Sequence, residues 1–221
     1  MIMNNEIVDK ICDETIKYAR QSGNMVFTVS REEIFQYLGI FLVSGYVKLP
    51  EQKMYFETPE DTLNLLVSGA MSRTTFEKIH RYLHFNDNNH IVKEDKIYKV
   101  RPLVDHLNKK FSELREPFGE EFSINEAMEP YYGRHSMKQF IMGKPIRYGF
   151  KFWCLTTSDE YLLRFDRYQG KAQPPKGVSL GTMVTIQLAR HIVPEYSTIY
   201  MDNFFTSSLL LFAPTELRVR H

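Results

Sequence analysis

After Gly119 the apolar residues of this chain stop recurring at helical spacing and begin to alternate. That change of period limits the fold to a helical part followed by a part built on a sheet. In the first part, Ser30 and Glu33 have capping-box spacing, and Ile34, Leu38, Phe41 and Leu42 repeat on one face. The pattern predicts a helix from about Arg31 to about Ser44, stopped by Gly45. Thr58-Pro59-Glu60-Asp61 predicts an N-cap, a first-turn proline and first-turn acids ahead of Leu63, Leu65 and Leu66. Ser72 caps a further helix through Phe76, Ile79, Tyr82 and Leu83. Pro102 opens a last one, with Leu103, Val104, Leu107, Phe111 and Leu114 on one face and an end near Arg115, before Pro117.

In the second part, Phe122 to Pro130 is a strand. Tyr148, Phe150 and Phe152 alternate with Gly149 and Lys151, and Ser158-Asp159-Glu160 turns the chain into Tyr161 to Phe165, which predicts a hairpin. Gly181 to Ile192 reads as a helix ended by Pro194, and Ser197 to Met201 as a strand. Strand, hairpin, helix, strand is the first part of a ribonuclease H-like fold. The crossover rule then sets the first and last strands side by side and parallel, so that Asn125 and Asp202 converge at one sheet edge. The expected class is α+β: an N-terminal helical domain over residues 1–118 and an incomplete ribonuclease H-like α/β domain over 119–221.

The chemistry expected at that edge is metal-assisted cutting of nucleic acid. Two magnesium ions about 4 Å apart repel unless several carboxylates surround and bridge them. Asp202 can bridge. Asn125 offers one neutral carbonyl oxygen and two N–H donors, and Glu126, its neighbour on the strand, points to the other face.

Net charge narrows the partners. At +1 the chain has no global pull toward nucleic acid, so such a partner needs a local basic patch. Arg134, His135, Lys138, Lys144, Arg147 and Lys151 form a stretch without acids, interleaved with Tyr131, Tyr132, Phe140 and Tyr148. It reads either as a phosphate-tracking surface or as a solvated hairpin face. His80 and His84 have metal-ligand spacing but no third ligand, which favours structural histidines. Cys12 and Cys154 are too few and too distant for a disulfide framework or a zinc set. The N-terminus lacks the features of a secretion signal, and the apolar run Ile40-Phe41-Leu42-Val43 is far below the ~20 residues a bilayer needs. The expectation is an intracellular, soluble protein with no membrane partner and no small-molecule substrate.

The stretch from Asn125 to Phe140, followed by Gly143-Lys144-Pro145-Ile146-Arg147-Tyr148-Gly149-Phe150-Lys151, resembles the piggyBac transposase family and its domesticated relatives. Asp202-Asn203-Phe204-Phe205-Thr206-Ser207 is similar to the family's second catalytic motif, and Phe35 to Ile40, Met71-Ser72-Arg73 and Arg81 to Phe85 also match its pattern. The resemblance covers almost the whole chain. It implies an Asp-triad core of the DDE type that cuts and joins DNA with magnesium in the nucleus.

On that reading Asn125 stands where the first Asp belongs and Asp202 matches the second, while the third would lie beyond residue 221. The tail from Ala213 to His221 also departs from the family's continuation. The expectation is therefore a truncated, degenerate derivative that binds DNA through the basic stretch, does not productively bind magnesium and lacks strand-transfer chemistry. Asp202 is its one metal-ligand candidate, and a homo-oligomer is left open. The alternatives are residual metal-dependent nicking, transposase activity in a longer product, or a non-catalytic protein-interaction module.

Overall fold

The computed structural model describes residues 2–59, 61–113, 119–170 and 174–211. The expected helix end near Arg115 and the tail after Phe212 lie outside the described residues. The chain divides into two compact units, one holding Met1–Lys93 with Tyr98–Leu103, the other holding Glu94–Ile97 and the chain from Val104 onward.

The first unit is helical. Helix α1 (Asn5–Gln21) was not among the expected elements, although its signals are present: the Asn4 side chain accepts from the Ile7 amide, and Ile7, Val8, Ile11, Thr15 and Ala19 recur on one buried face. Helix α2 (Arg31–Tyr46) starts at the expected capping box, with the Ser30 hydroxyl and the Glu33 carboxylate each accepting from the other residue's amide. It runs through Gly45 rather than stopping there. Glycine ends a helix only when the next turn lacks other support, and here the Val47 amide still closes onto Val43.

The next helix is placed differently from the expectation. The Thr62 amide donates to the Pro59 carbonyl, and α3 (Leu65–Ala70) begins only after Asn64, whose side chain accepts from Leu66 and Val67. Helix α4 (Arg73–Tyr82) is capped by Ser72 as expected. Ile34, Tyr37, Ile40, Val67, Phe76 and Ile79 fill the core with the buried face of α1.

His80 and His84 are structural. The Tyr37 hydroxyl lies 2.8 Å from His80 Nδ1, while His84 stacks on Tyr18 at 3.6 Å and meets Asn88 at 2.9 Å. Burial pulls the His84 pKa down, which keeps it neutral near pH 7.

The division between the units falls within α5 (Arg101–Glu113). Among its described residues the second unit contains a five-stranded mixed sheet. Strand β1 (Glu121–Pro130) lies at its centre, antiparallel to β3 (Tyr148–Thr157) from Phe122 beside Thr157 to Pro130 beside Gly149. The edge of β3 away from β1 carries β4 (Leu162–Arg167) and the two-residue β2 (Gln139–Phe140), an element the sequence pattern did not announce.

The turn from β3 to β4 falls on the expected residues, with Glu160 at φ 64° and the Thr157 amide donating to Tyr161. Helix α6 (Leu180–Ala189) follows, capped by Ser179, and β5 (Thr198–Met201) then pairs parallel with β1. A short helix, α7 (Ser208–Leu211), ends the described chain.

Alternation sends Phe122 and Ile124 of β1, Trp153 and Leu155 of β3, and Ile199 of β5 to one face, where Val184 and Leu188 of α6 cover them. On β4, the Phe165 amide donates to Asn108 of α5 and its carbonyl accepts from the Asn108 side chain, each at 2.9 Å.

Candidate functional site

Parallel pairing of β1 and β5 fixes the two residues the sequence singled out. The register runs from Glu121 beside Thr198 to Ile124 beside Met201, so Asn125 and Asp202 each stand one residue past the last registered pair, where β5 ends alongside the middle of β1. Both are exposed. Their side-chain oxygens are engaged locally: Asn125 Oδ1 accepts from the Glu126 amide at 2.8 Å, and Asp202 Oδ1 from the Phe204 amide at 2.9 Å.

The loop that carries Asp202 is clamped onto the start of α6. Phe205 is fully buried, its amide donating to the Asp202 carbonyl, and the Thr182 hydroxyl donates to Ser207 at 2.6 Å. Gly181 is pressed so closely to this loop that a Cβ there would fall 1.9 Å from the Phe204 carbonyl oxygen. Gly181 and Thr182, which hold this loop against α6, were not singled out from the sequence, whereas Ser207 falls within the Asp202–Ser207 motif. The available signal was Ser179 followed by Thr182, a cap whose hydroxyls lie 2.7 Å apart.

Glu126 lies on the opposite, core-side face, across from Trp153. Burial works to raise its pKa, but the ammonium groups of Lys151 and Lys144 outweigh burial and hold the carboxyl below its ordinary range. Lys151 forms an ion pair with Glu126 and lies 5.0 Å over the Phe204 ring, while Lys144 reaches Glu126 at 3.3 Å.

The donor set of Asn125 and Asp202 does not fit a two-metal centre. One carboxylate with an oxygen already bonded, beside an amide, leaves two divalent ions mostly uncompensated. Among the described residues no group of three or more His, Cys, Asp or Glu side chains is arranged to hold a metal ion.

The basic stretch divides in the structure. Lys144 and Lys151 are turned to Glu126. His135 is exposed, but its ring packs edge-on to Phe150 at 5.3 Å and its Nδ1 accepts from the Met137 amide at 3.2 Å, which leaves the proton on Nε2. Desolvation, then the charges of Arg167 and Lys96, pull its pKa down, so it is neutral near pH 7. Lys138 donates to the carbonyls of Gly133 and Tyr132 and lies 5.3 Å over the Tyr148 ring. Arg134 and Arg147 are exposed and, among the described residues, have no carboxylate partner. Tyr132, Phe140 and Tyr148 are exposed beside them in sequence. Among the described residues no helix is long and apolar enough to cross a membrane.

Comparison with known proteins gives a consistent picture. A family model described as Transposase IS4 matches residues 1–213. The human PiggyBac transposable element-derived protein 3 is 38% identical over 216 residues, which are 96% of this chain and 36% of that protein. The human PiggyBac transposable element-derived protein 2 is 37% identical over 211 residues, 92% of this chain and 35% of that protein. A cryo-EM structure of the piggyBac transposase synaptic complex with hairpin DNA has a similar fold, with a TM-score of 0.84 and 22% identity over 99% of this chain and 48% of that one. The chain thus spans about a third of the length of the curated relatives it matches.

Proposed function

The chain belongs to the piggyBac transposase family, and from that membership we propose that it is a DNA-binding derivative whose second unit, a ribonuclease H-like core, lacks strand-cleavage chemistry. The order β4-β3-β1-β5, with an antiparallel meander followed by a helix and a strand parallel to the first, supports the ribonuclease H-like reading. The observation that carries the proposal is the β1–β5 register, which sets an amide, Asn125, beside Asp202 where two-metal chemistry needs a second carboxylate. Loss of a full negative charge at a metal position removes several kcal/mol of metal and transition-state stabilisation as an order of magnitude. Magnesium is accordingly not bound productively.

DNA is held by the exposed cations Arg134 and Arg147 and the half-buried Lys138, with the neighbouring aromatic rings, cations setting affinity and rings offering stacking surfaces. That the structural relative is a DNA complex supports this partner, and its synaptic assembly supports a homo-oligomer. A mobility-shift titration across salt tests the binding claim: affinity should fall linearly in log–log form as salt rises, and binding that is absent at low salt or indifferent to salt would refute it. A nicking assay with magnesium tests the catalytic claim. Cleavage that disappears in Asp202→Ala would contradict it.

A further inference from the structure

A second group of cations lies outside the basic stretch, where β4 ends. Arg167, the last residue of β4, stacks its guanidinium 3.6 Å over the Phe150 ring and 5.8 Å from Phe152, and its Nε is buried without a hydrogen-bond partner. Lys96, brought in by the segment Glu94–Ile97, donates its amide to the Gln169 side chain at 3.0 Å. Its ammonium lies 3.0 Å from where a Cβ on Gly170 would stand, and Gly170 holds φ at +106°. Arg167 and Lys96 both line a cleft of about 410 Å³, together with Trp153, whose Nε1 is likewise buried without a partner.

Among the described residues neither cation has an ion-pair partner. Two acids also line the cleft: Asp166, engaged by the Arg167 amide at 2.8 Å and the Gln187 side chain at 3.2 Å, and the exposed Glu94. A half-buried arginine stacked on Phe150 and an exposed lysine line one cleft, where an oxyanion would gain charge-assisted hydrogen bonds from both. Arginine's planar fork, fixed here by stacking, fits a tetrahedral oxyanion better than a flexible cation does.

We propose that Lys96 and Arg167 form a phosphate-binding site at the end of β4, and that the phosphate is one of a nucleic-acid backbone. The backbone assignment rests on the DNA reading above; the phosphate site itself rests on the cleft. It extends the DNA surface to residues far from the basic stretch in sequence.

Trp153 is the single tryptophan, so its emission reports on this cleft. The full chain, with Lys96→Gln and Arg167→Gln, is titrated with inorganic phosphate, a nucleoside monophosphate and a short single-stranded oligonucleotide, alongside a mobility shift. The expected result is an emission change with the oligonucleotide at lower concentration than with either small phosphate, weakened about tenfold in each variant, as loss of one charge-assisted contact predicts. Lys96 is exposed, so Lys96→Gln keeps the test valid should Arg167→Gln fold poorly. An oligonucleotide response unchanged in Lys96→Gln overturns the site and leaves the DNA reading standing. A response to inorganic phosphate that Lys96→Gln weakens, without any mobility shift, sustains the site and overturns the DNA reading. No response to any of the three overturns the site.

Discussion

Lys151 and Glu126 form an ion pair in which both side chains are largely buried, 15% and 14% exposed, on the sheet face opposite Asn125. The pair sits where the apolar face of β1 runs out, and Lys144 adds a second cation. Removing one partner of a buried pair strands the other. Lys151→Ala should therefore destabilise the second unit by roughly 2 kcal/mol, below the usual range for a fully buried pair because Lys144 remains.

The pH dependence of that pair has a definite sign. Glu126 has a depressed pKa in the folded state, so its contribution is present above the unfolded glutamate value and is lost as pH falls through the folded one. Urea midpoints measured from neutral pH downward should drop once pH passes below about 4.3, the ordinary glutamate value, and the drop should be smaller in Lys151→Ala. Equal slopes in the two proteins would mean that the pair contributes nothing.

Asn125→Asp should create metal affinity beside Asp202. Two carboxylates at adjacent register positions attract a divalent cation that one carboxylate and an amide do not. Calorimetric titration with magnesium or manganese should give a saturable isotherm for Asn125→Asp that is absent from the parent chain and lost again in Asn125→Asp with Asp202→Ala. Binding by the parent chain at equal affinity would show that the amide is no obstacle.

Elements with strong periodicity and a cap were legible in the sequence: α2, α4, the β3–β4 hairpin and α6 all begin within a residue or two of their signals. The start of α3 was not, because Thr58-Pro59 has the composition of a helix start while Asn64, with two amides to satisfy, takes the role in three dimensions. The neighbourhood of Asn125 and Asp202 was legible because the parallel pairing of β1 with β5 follows from element order, Asp202 following the end of β5 and Asn125 lying midway along β1. The fates of Lys144, Lys151 and His135 were not, since Glu126 and Phe150 meet them through cross-strand geometry that a one-dimensional charge pattern does not contain. Arg167 and Lys96 were invisible for the same reason, being 71 residues apart, the difference between their sequence positions.

Gly181→Ala should disturb the Asp202 loop. The added Cβ would fall on the Phe204 carbonyl oxygen, which is backbone and cannot swing aside, so α6 or the loop must move. Overpacking of this kind costs about 1 to 3 kcal/mol. The thermal midpoint should fall, and in an Asn125→Asp background the acquired metal affinity should weaken, because the loop carries Asp202. A variant that melts lower yet binds metal as tightly would separate the loop's packing from the placement of Asp202.

The two cysteines allow the stability of each unit to be read independently. Cys12 lies in the first unit and Cys154 in the second, and desolvation pushes each thiol up to about 11, with Asp9 and Asp13 adding to the shift at Cys12. Because the thiolate is the reactive form, both should be nearly inert to an alkylating reagent at neutral pH while folded. Rising urea should expose each thiol as its own unit opens, with peptide mapping reporting the two separately. Lys151→Ala should then bring Cys154 labelling to lower urea and leave Cys12 unchanged. A shift of both thiols together would mean that the two units unfold as one.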